Sequence, residues 1–512
     1  MHAHSIAHES ALRTKWIKKV AGGVSRLTRD ILRDCFLGPN SLATAGMQVP
    51  LDGDAVIVKV SLQSILGDEE ALNSMFYIEG ASGILPCGVG CSVVNKQTAH
   101  DRELGVESMA ARDSEIQDIG CSNLSLCGVR SDEDIWNFCE ELRAEPKETL
   151  NELEHATGLK LHEDTLLFDV PLRPFVKPAT VITFDPMHIL FSNGLLNAEV
   201  MLFLGWLKDF VGGSFEDVRE FGKDWTPLTR IFSAQRESSA GEFLKCGASE
   251  LLDGYPLLRR FVQEIFGDNA KEPPAVVSFL KLCEICDQVA LLLKGLSKPE
   301  VELIVRHLRV LVREYLDAFK IAHGEAKVRF KHHQLLHLVE HILKHLRMLN
   351  CWVLERKHIA MKQCMVHNRT VLNISKTGLS RMLNAQLRML EDPGWHSALD
   401  GPSQAFPELA ASLSAKDVRI SRAMRWRGIS LCNSALVFLD TAKTYLIYIV
   451  ACLSIDNEWG LMVRLGQRVS GTKVASIWQV AAEVKLYSLV DERVFPTAFH
   501  RWLSTDRIEL LH

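Results

Sequence analysis

The spacing of apolar and polar residues predicts a chain that is helical over most of its length and β-rich at its end. Apolar positions recur at helical spacing through 198–320 and on to about residue 390. Alternating valines predict a strand over 55–62, and the VITF run before Asp185 resembles a second strand. Short alternating runs such as ALVFL and WGLMVRLGQRV fill 413–512. The fold is therefore expected to be α+β.

Local signals place several element ends. Ser131 is expected to cap an acidic helix, and Ser297 with Glu300 forms a capping-box pattern. The Pro/Gly/Ser-rich stretch 391–412 is expected to be a linker. The alternating runs after it predict a separate small β-rich domain over 413–512.

Composition narrows the class of protein. With 512 residues, 47% hydrophobic and 24% charged, the chain is expected to be globular with two to four domains. With a net charge of −5, the chain as a whole does not have the excess of basic residues that is typical of nucleic-acid-binding proteins. Thirteen scattered cysteines favour reduced thiols, in the cytoplasm or nucleus. The apolar run at 445–455 is too short to span a bilayer, so no membrane association is expected.

Two pairs of residues could bind a transition metal. His333 and His337 are spaced i, i+4, which puts both imidazoles on one face of a helix. Cys87 and Cys91 lie in a Gly/Pro-rich turn and could supply two thiolates to a tetrahedral zinc site. Other thiols in a loop-like stretch could compete with them as ligands, namely Cys121 and Cys127.

Carboxylates occur at three further positions of interest. Asp68 opens a helix just after the predicted strand, where metal-dependent nucleases of α/β type hold their ions, although an acidic helix start has the same pattern. The pair Asp185 and His188 can bind metal or cap a helix, and capping is favoured. Glu355 lies in an ERKH context and is followed by basic residues that could contact phosphate: Arg356, Lys357, Lys362 and Arg369.

Taken in order, Asp68, the Cys pair, Asp185-x-x-His188, the His pair, Trp352 and Glu355 resemble the CACTA-type cut-and-paste DNA transposases. That family is distantly related to Transib elements and to the catalytic subunit of the V(D)J recombinase. The resemblance implies an RNase H-like fold in which two Asp and one Glu bind Mg²⁺ or Mn²⁺. It also implies a large helical insertion before the Glu, and a structural zinc held by a Cys pair and a His pair.

The resemblance assigns roles to residues. Asp68 and Glu355 become the second and third catalytic acids, while Cys87, Cys91, His333 and His337 become the zinc ligands. The first acid is expected upstream, and none of the four upstream aspartates lies in a suitable strand context: Asp30, Asp34, Asp52 and Asp54. The chain is therefore expected to be N-terminally truncated and catalytically impaired.

The resemblance also implies a domain plan and partners. DNA is the expected partner, with a possible homodimer and a nuclear location. The expected plan is a partial RNase H-like core over 1–115, a mainly helical insertion over 116–330, a His- and Glu-bearing helical segment over 331–390, a linker and the β-rich domain. The alternative is a non-catalytic helical scaffold for protein interactions. In a scaffold His333 and Cys91 should lie far apart.

Overall fold

The fold is known from a computed structural model, which has both helices and strands, with helices predominating. It describes residues 20–51, 54–80, 83–94, 117–223, 226–238, 241–267, 273–293 and 296–352, with strands and single residues between 397 and 511. The chain divides into two compact units, drawn from Met1–Tyr255 with Asp268–Lys376 and from Pro256–Gly267 with Thr377–His512.

Fourteen α-helices occur in the described part of the chain, and their bounds follow in order. They are α1 Gly23–Leu37, α2 Glu69–Phe76, α3 Asp132–Ala144, α4 Lys147–Thr157, α5 Pro178–Val181, α6 Pro186–Leu190, α7 Leu195–Val211, α8 Phe215–Phe221, α9 Thr226–Ile231, α10 Ala234–Ser238, α11 Ala248–Phe266, α12 Pro274–Leu292, α13 Lys298–His323 and α14 Phe330–His345.

The first unit contains three two-stranded sheets. Strands β1 (Met47–Leu51) and β2 (Asp54–Val58) form an antiparallel hairpin. Strands β3 (Ile65–Gly67) and β6 (Ile182–Phe184) pair in parallel, and so do β4 (Val93–Val94) and β5 (Gln117–Asp118). The predicted strand over 55–62 thus ends earlier, at Val58, and the VITF run contains β6.

The long described helices of the first unit pack on one another through buried apolar side chains. Helix α12 packs on α13, α13 packs on α14, and α14 packs on β6 and α6. The expected caps are present, since Ser131 and Ser297 each form a capping box at the start of α3 and α13. The Ser131 box satisfies two backbone N–H groups at the start of α3, and at the start of α13 the Glu300 carboxylate accepts from the backbone N–H of Ser297.

The domain boundary expected at residue 115 is wrong. Strand β5 pairs with β4 and β6 pairs with β3, so segments from both sides of that boundary share sheets. The helical stretch that follows begins at Pro186 and runs to His345 in the described residues. Strands of two or three residues have too few positions to show a period of two, which is why the sequence pattern did not reveal the pairing.

The second unit contains an antiparallel sheet. It consists of β7 Ser397–Ala405, β8 Val418–Trp426, β9 Ile429–Cys432, β10 Leu436–Phe438, β11 Leu446–Ile455, β12 Glu458–Gly471, β13 Ala475–Val480, β14 Lys485–Ser488, β15 Phe495–Pro496, β16 Phe499–Trp502 and β17 Arg507–Leu511.

The linker expected over 391–412 is corrected by this sheet. Residues Ser397–Ala405 form β7, which pairs with β8 from Ser397↔Trp426 to Ala405↔Arg419. Gly401 and Pro402 lie where the register shifts between Asp400 and Ser403. A bulge of this kind accommodates Gly and Pro within a strand, so turn-forming residues there did not mark a linker.

One segment, Pro186–Phe210, is long and apolar enough to cross a membrane by length and composition, with a mean hydropathy of 1.3. It comprises α6 and most of α7, and 72% of that window is buried inside the protein. A buried core helix passes the same test, and packing against α12 and α14 accounts for its apolar character.

Candidate metal centre and acidic cavity

Four potential metal ligands from two distant parts of the chain meet in the first unit. The ligand atoms of Cys87, Cys91, His333 and His337 all lie within 4.8 Å of one another, and all four residues are buried. The sequence-predicted Cys pair and His pair are therefore brought together across a separation of 250 residues. This cluster, called the thiol–imidazole cluster below, could hold a metal ion such as zinc.

The thiol half of the cluster depends on a tight turn. The backbone N–H of Gly90 donates to the carbonyl of Cys87, and Gly90 has φ +96°. A side chain at Gly90 would also meet the carbonyl oxygen of Arg130 at 2.9 Å. Glycine at this position therefore lets a C-x3-C spacing turn both sulfurs inward.

The imidazole half comes from consecutive turns of α14. The Nε2 atoms of His333 and His337 are 3.0 Å apart, and His337 Nε2 lies 3.3 Å from Cys87 Sγ. Bonds of about 2.0–2.3 Å to a tetrahedral zinc would place ligand atoms about 3.3–3.8 Å apart. The Nδ1 atom of His333 is buried and has no hydrogen-bond partner among the described residues. The separation of Cys87 Sγ and His337 Nε2 lies in that range and the two imidazole nitrogens are ~0.3 Å closer, so the donor set fits a tetrahedral ion after a small movement of the rings.

The two thiols have opposite acidities. Burial raises the pKa of Cys87, but the hydrogen bond from Cys91 and the nearby imidazoles outweigh it, so the pKa lies well below its usual value. The hydrogen bond to Cys87 and burial raise the pKa of Cys91. Burial lowers the pKa of His333, which favours the neutral imidazole that binds metals. Cys87 is therefore the more acidic of the two thiols, and His333 is held toward its neutral, metal-binding form.

Cys121 and Cys127 do not join these four ligands. They pack in the same apolar cluster, but both thiols donate toward the carbonyl of Asn123, at 3.4 and 3.9 Å. Burial raises the pKa of Cys127 to about 12, so this thiol stays protonated. Cys283 and Cys286 are fully buried core thiols in α12, as expected from the apolar character of that helix.

Asp68 and Asp185 occupy equivalent places at the ends of two adjacent strands. Asp68 directly follows β3 and Asp185 directly follows β6, and those strands are parallel. Each carboxylate also caps the next helix, Asp68 by accepting from the N–H of Ala71 and Asp185 from that of His188. The capping role expected for Asp185 is present. Asp68 is its neighbour at the end of the adjacent strand, which the sequence pattern did not indicate.

His188 lies between the two carboxylates. Its Nδ1 is 2.5 Å from Asp185 Oδ2, and its Nε2 is 3.7 Å from Asp68 Oδ2. The other oxygen of Asp185 accepts from the backbone N–H of Cys351 at 2.8 Å. Asp185, His188 and Cys351 also form a second group with metal-ligand chemistry among the described residues.

A cavity of about 790 Å³ opens over this pair of strand ends. Its lining includes Asp68, Asp185, His188, Glu79, Lys160 and Lys331. The ammonium group of Lys331 donates to the carbonyls of His188, Ser192 and Asn193, at 2.8, 3.3 and 2.8 Å. These bonds use its three donors and fix the end of α6 to the start of α14.

The thiol–imidazole cluster and the cavity share their structural support. Phe184, the last residue of β6, packs on His337 and His341 with ring centroids 5.7 and 5.9 Å apart. Helix α14 carries the two imidazole ligands and also places Lys331 and Gln334 at the cavity. The position of Asp185 is therefore linked to the cluster through one aromatic side chain and one helix.

Several residues named from the sequence fall elsewhere. Trp352 packs on Phe191, with ring centroids 5.6 Å apart. Glu355 and the basic residues expected to contact DNA lie outside the described residues: Arg356, Lys357, Lys362 and Arg369. The sequence reasoning did not assign roles to Lys331 or Cys351, although each lies beside a quoted motif.

Comparison with family models, with curated proteins and with solved structures finds no match to this chain.

Proposed function

We propose that the chain is a transposase-derived DNA-binding protein whose first unit is an RNase H-like core, pinned by one zinc ion and carrying a divalent-cation site for phosphoryl transfer. One observation carries the proposal: Asp68 and Asp185 follow adjacent parallel strands and meet at a cavity of about 790 Å³. Ligands of open α/β sheets bind outside the carboxyl ends of their strands, which is where both carboxylates lie.

The pairing of β3 with β6 supports a revised assignment of the acids. Asp68 and Asp185 occupy the positions of the first two, with Asp68 as the one that faces the cavity as a ligand; Glu355 remains the expected third, so no acid upstream of Asp68 is needed. The helices from Pro186 to His345 then lie between the second acid and the Glu, as the family resemblance requires. The Cys pair precedes Asp185, which departs from the family order.

The cavity has the chemistry needed to hold a divalent cation. Asp68 uses Oδ1 to cap α2, at 2.6 Å from the Ala71 nitrogen, while Oδ2 is directed toward His188 in the cavity lining. A bound Mg²⁺ or Mn²⁺ would neutralise phosphate charge and assist attack on a phosphodiester. Asp68 would hold the ion, and the packing of Phe184 on α14 supports the end of β6.

The alternative, a non-catalytic scaffold, predicts a different arrangement of the Cys and His pairs. It expects His333 and Cys91 to lie far apart, whereas their ligand atoms lie within 4.8 Å of each other. A scaffold also has no need for an imidazole between two carboxylates at a cavity. DNA as partner, a homodimer and a nuclear location remain implications of the resemblance.

The test is nicking of a supercoiled plasmid by the zinc-loaded protein, with Mg²⁺ or Mn²⁺ added. We expect metal-dependent cleavage that is lost in Asp68→Asn, because asparagine keeps the helix cap and removes the charge. Glu133→Gln is the matched control, since Glu133 is an exposed first-turn acid of α3 that lies outside the lining of this cavity.

Equal nicking by wild type and Asp68→Asn, or no nicking with either cation, would reject the catalytic part of the proposal. The DNA-binding part is measured separately by the salt dependence of plasmid-fragment affinity. Contacts to several phosphates give a steep fall of affinity with salt, and a flat dependence would reject DNA as the partner.

A further inference from the structure

We propose that His188 is a ligand of the cation at Asp68, through Nε2, and that Asp185 is the positioning residue that holds its ring. The site would then select ions that accept nitrogen, such as Mn²⁺ or Co²⁺, over Mg²⁺ and Ca²⁺. This inference rests on the proposed function, because it concerns the same cavity.

The first step concerns the tautomer of His188. Its Nδ1 faces Asp185 Oδ2 at 2.5 Å, and a carboxylate can only accept a hydrogen bond. The proton of a neutral imidazole therefore lies on Nδ1, which leaves a lone pair on Nε2. A carboxylate behind a histidine is the usual support of a metal-binding imidazole, since it fixes the tautomer and increases the basicity of the ligand.

The second step concerns what Asp185 itself can bind. The Oδ1 atom of Asp185 accepts from the backbone N–H of Cys351. Its Oδ2 atom accepts from the backbone N–H of His188 and from the ring Nδ1 of the same residue. Its side chain is fully buried. Asp185 is thereby committed to supporting the ring, so its negative charge acts on the cavity through His188.

The third step concerns the space between His188 and Asp68. The separation of 3.7 Å between Nε2 and Oδ2 is too long for a hydrogen bond. On an ion with bonds of about 2.1 Å, two neighbouring ligand atoms lie ~3.0 Å apart at an octahedral angle and ~3.4 Å apart at a tetrahedral angle, so the two atoms would have to approach by only a few tenths of an ångström. The two atoms line the same cavity and can therefore bind one ion together.

The support of the ring also extends beyond Asp185. Lys331 donates to the carbonyl oxygen of His188 at 2.8 Å, so the backbone of the ligand is tied to α14. Burial lowers the pKa of Lys331, although nearby carboxylates of Glu69 and Asp68 oppose the shift. The imidazole is thus held at its ring and at its backbone before any ion binds.

The donor set decides the class of ion. Mg²⁺ and Ca²⁺ are hard cations that take oxygen ligands, whereas imidazole suits later first-row metals. One imidazole nitrogen with one carboxylate oxygen therefore favours Mn²⁺ and Co²⁺ over Mg²⁺ and Ca²⁺, with affinity rising from Mn²⁺ to Co²⁺. The thiol–imidazole cluster, with two thiols, remains the site for zinc.

The experiment is pulsed EPR on the full zinc-loaded chain with one added equivalent of Mn²⁺. We expect the Mn²⁺ spin echo to be modulated by the nucleus of a directly bonded imidazole nitrogen. Labelling the histidines with ¹⁵N should change the modulation frequencies from those of ¹⁴N to those of ¹⁵N. His188→Gln should lose this modulation, and Asp185→Asn should weaken Mn²⁺ binding by about 10–100-fold, the usual effect of removing such a supporting carboxylate. Zinc content must stay unchanged in each variant, which shows that the cluster is intact.

Three outcomes would overturn the inference, and they differ in whether the proposed function survives. Mn²⁺ bound without nitrogen modulation means an all-oxygen site, which removes the role of His188 and keeps the proposed function. A sulfur-to-metal charge-transfer band from added Co²⁺ that disappears in Cys351→Ser places the ion beside Asp185 instead. Failure of wild type to bind Mn²⁺, with zinc present, rejects the inference and the cation site of the proposed function together.

Discussion

Removal of the metal should strongly destabilise the first unit, because the thiol–imidazole cluster cross-links distant segments. The ligand atoms of Cys87 and His337 meet although the two residues are 250 positions apart. An ion that binds the folded cluster and is released on unfolding adds RT ln(1 + [Zn²⁺]/Kd) to the free energy of unfolding, which is about 5.5 kcal/mol when free zinc exceeds the Kd about 10⁴-fold. We therefore expect chelation to lower the free energy of unfolding by roughly that amount.

The assay is urea unfolding of wild type with and without a strong chelator, combined with hydrogen exchange of the α14 peptide. With a slope of about 3 kcal/mol/M, the expected loss lowers the midpoint by roughly 2 M. Cys91→Ser should already have the lower midpoint and should not respond to chelator. Cys139→Ser is the matched control, since Cys139 is equally buried and lies outside the cluster.

Two results would refute this reasoning. A wild-type midpoint that is unchanged after complete zinc release would show that the cluster does not act as a cross-link. Absence of zinc in protein purified without added metal, together with equal midpoints for wild type and Cys91→Ser, would remove the metal centre itself.

Two further predictions concern packing and acidity. Phe184→Ala should destabilise the first unit by about 3–5 kcal/mol in urea unfolding, because Phe184 is 4% exposed and packs on His337 and His341; a loss below 1 kcal/mol would contradict this. Burial raises the pKa of Cys139 to about 12, so this thiol stays protonated in the folded state after it ionises in the unfolded chain. Stability should therefore fall from about pH 9 to 12, by at most about 1.4 kcal/mol per pH unit, and Cys139→Ala should reduce that slope.

The residues of the thiol–imidazole cluster could be named from the sequence because their signals are local. An i, i+4 spacing puts His333 and His337 on one helix face, and a Gly-rich turn can direct Cys87 and Cys91 to one side. The meeting of the two pairs is a long-range fact, and only the family resemblance suggested it. Capping boxes at Ser131 and Ser297 were also local and are confirmed.

The acidic cavity could not be predicted in the same way. Strands β3 and β6 have three residues each, and neither strand shows an alternation that would identify its partner. Asp185 and His188 were therefore interpreted by themselves, and capping was favoured over a role beside Asp68. The charges that meet at the cavity depend on which short strands pair, and pairing depends on the packing of the helices around them.

The span of the thiol–imidazole cluster also has a consequence for synthesis of the protein on the ribosome. Cys87 and Cys91 emerge well before His337, 250 residues after Cys87, has been translated. At about 5–20 residues per second, that interval lasts roughly 12–50 s. During this time the two thiols have no imidazole partners and are open to oxidation or to capture by other metals. Cells that make this chain must therefore keep the nascent thiols reduced until α14 is complete.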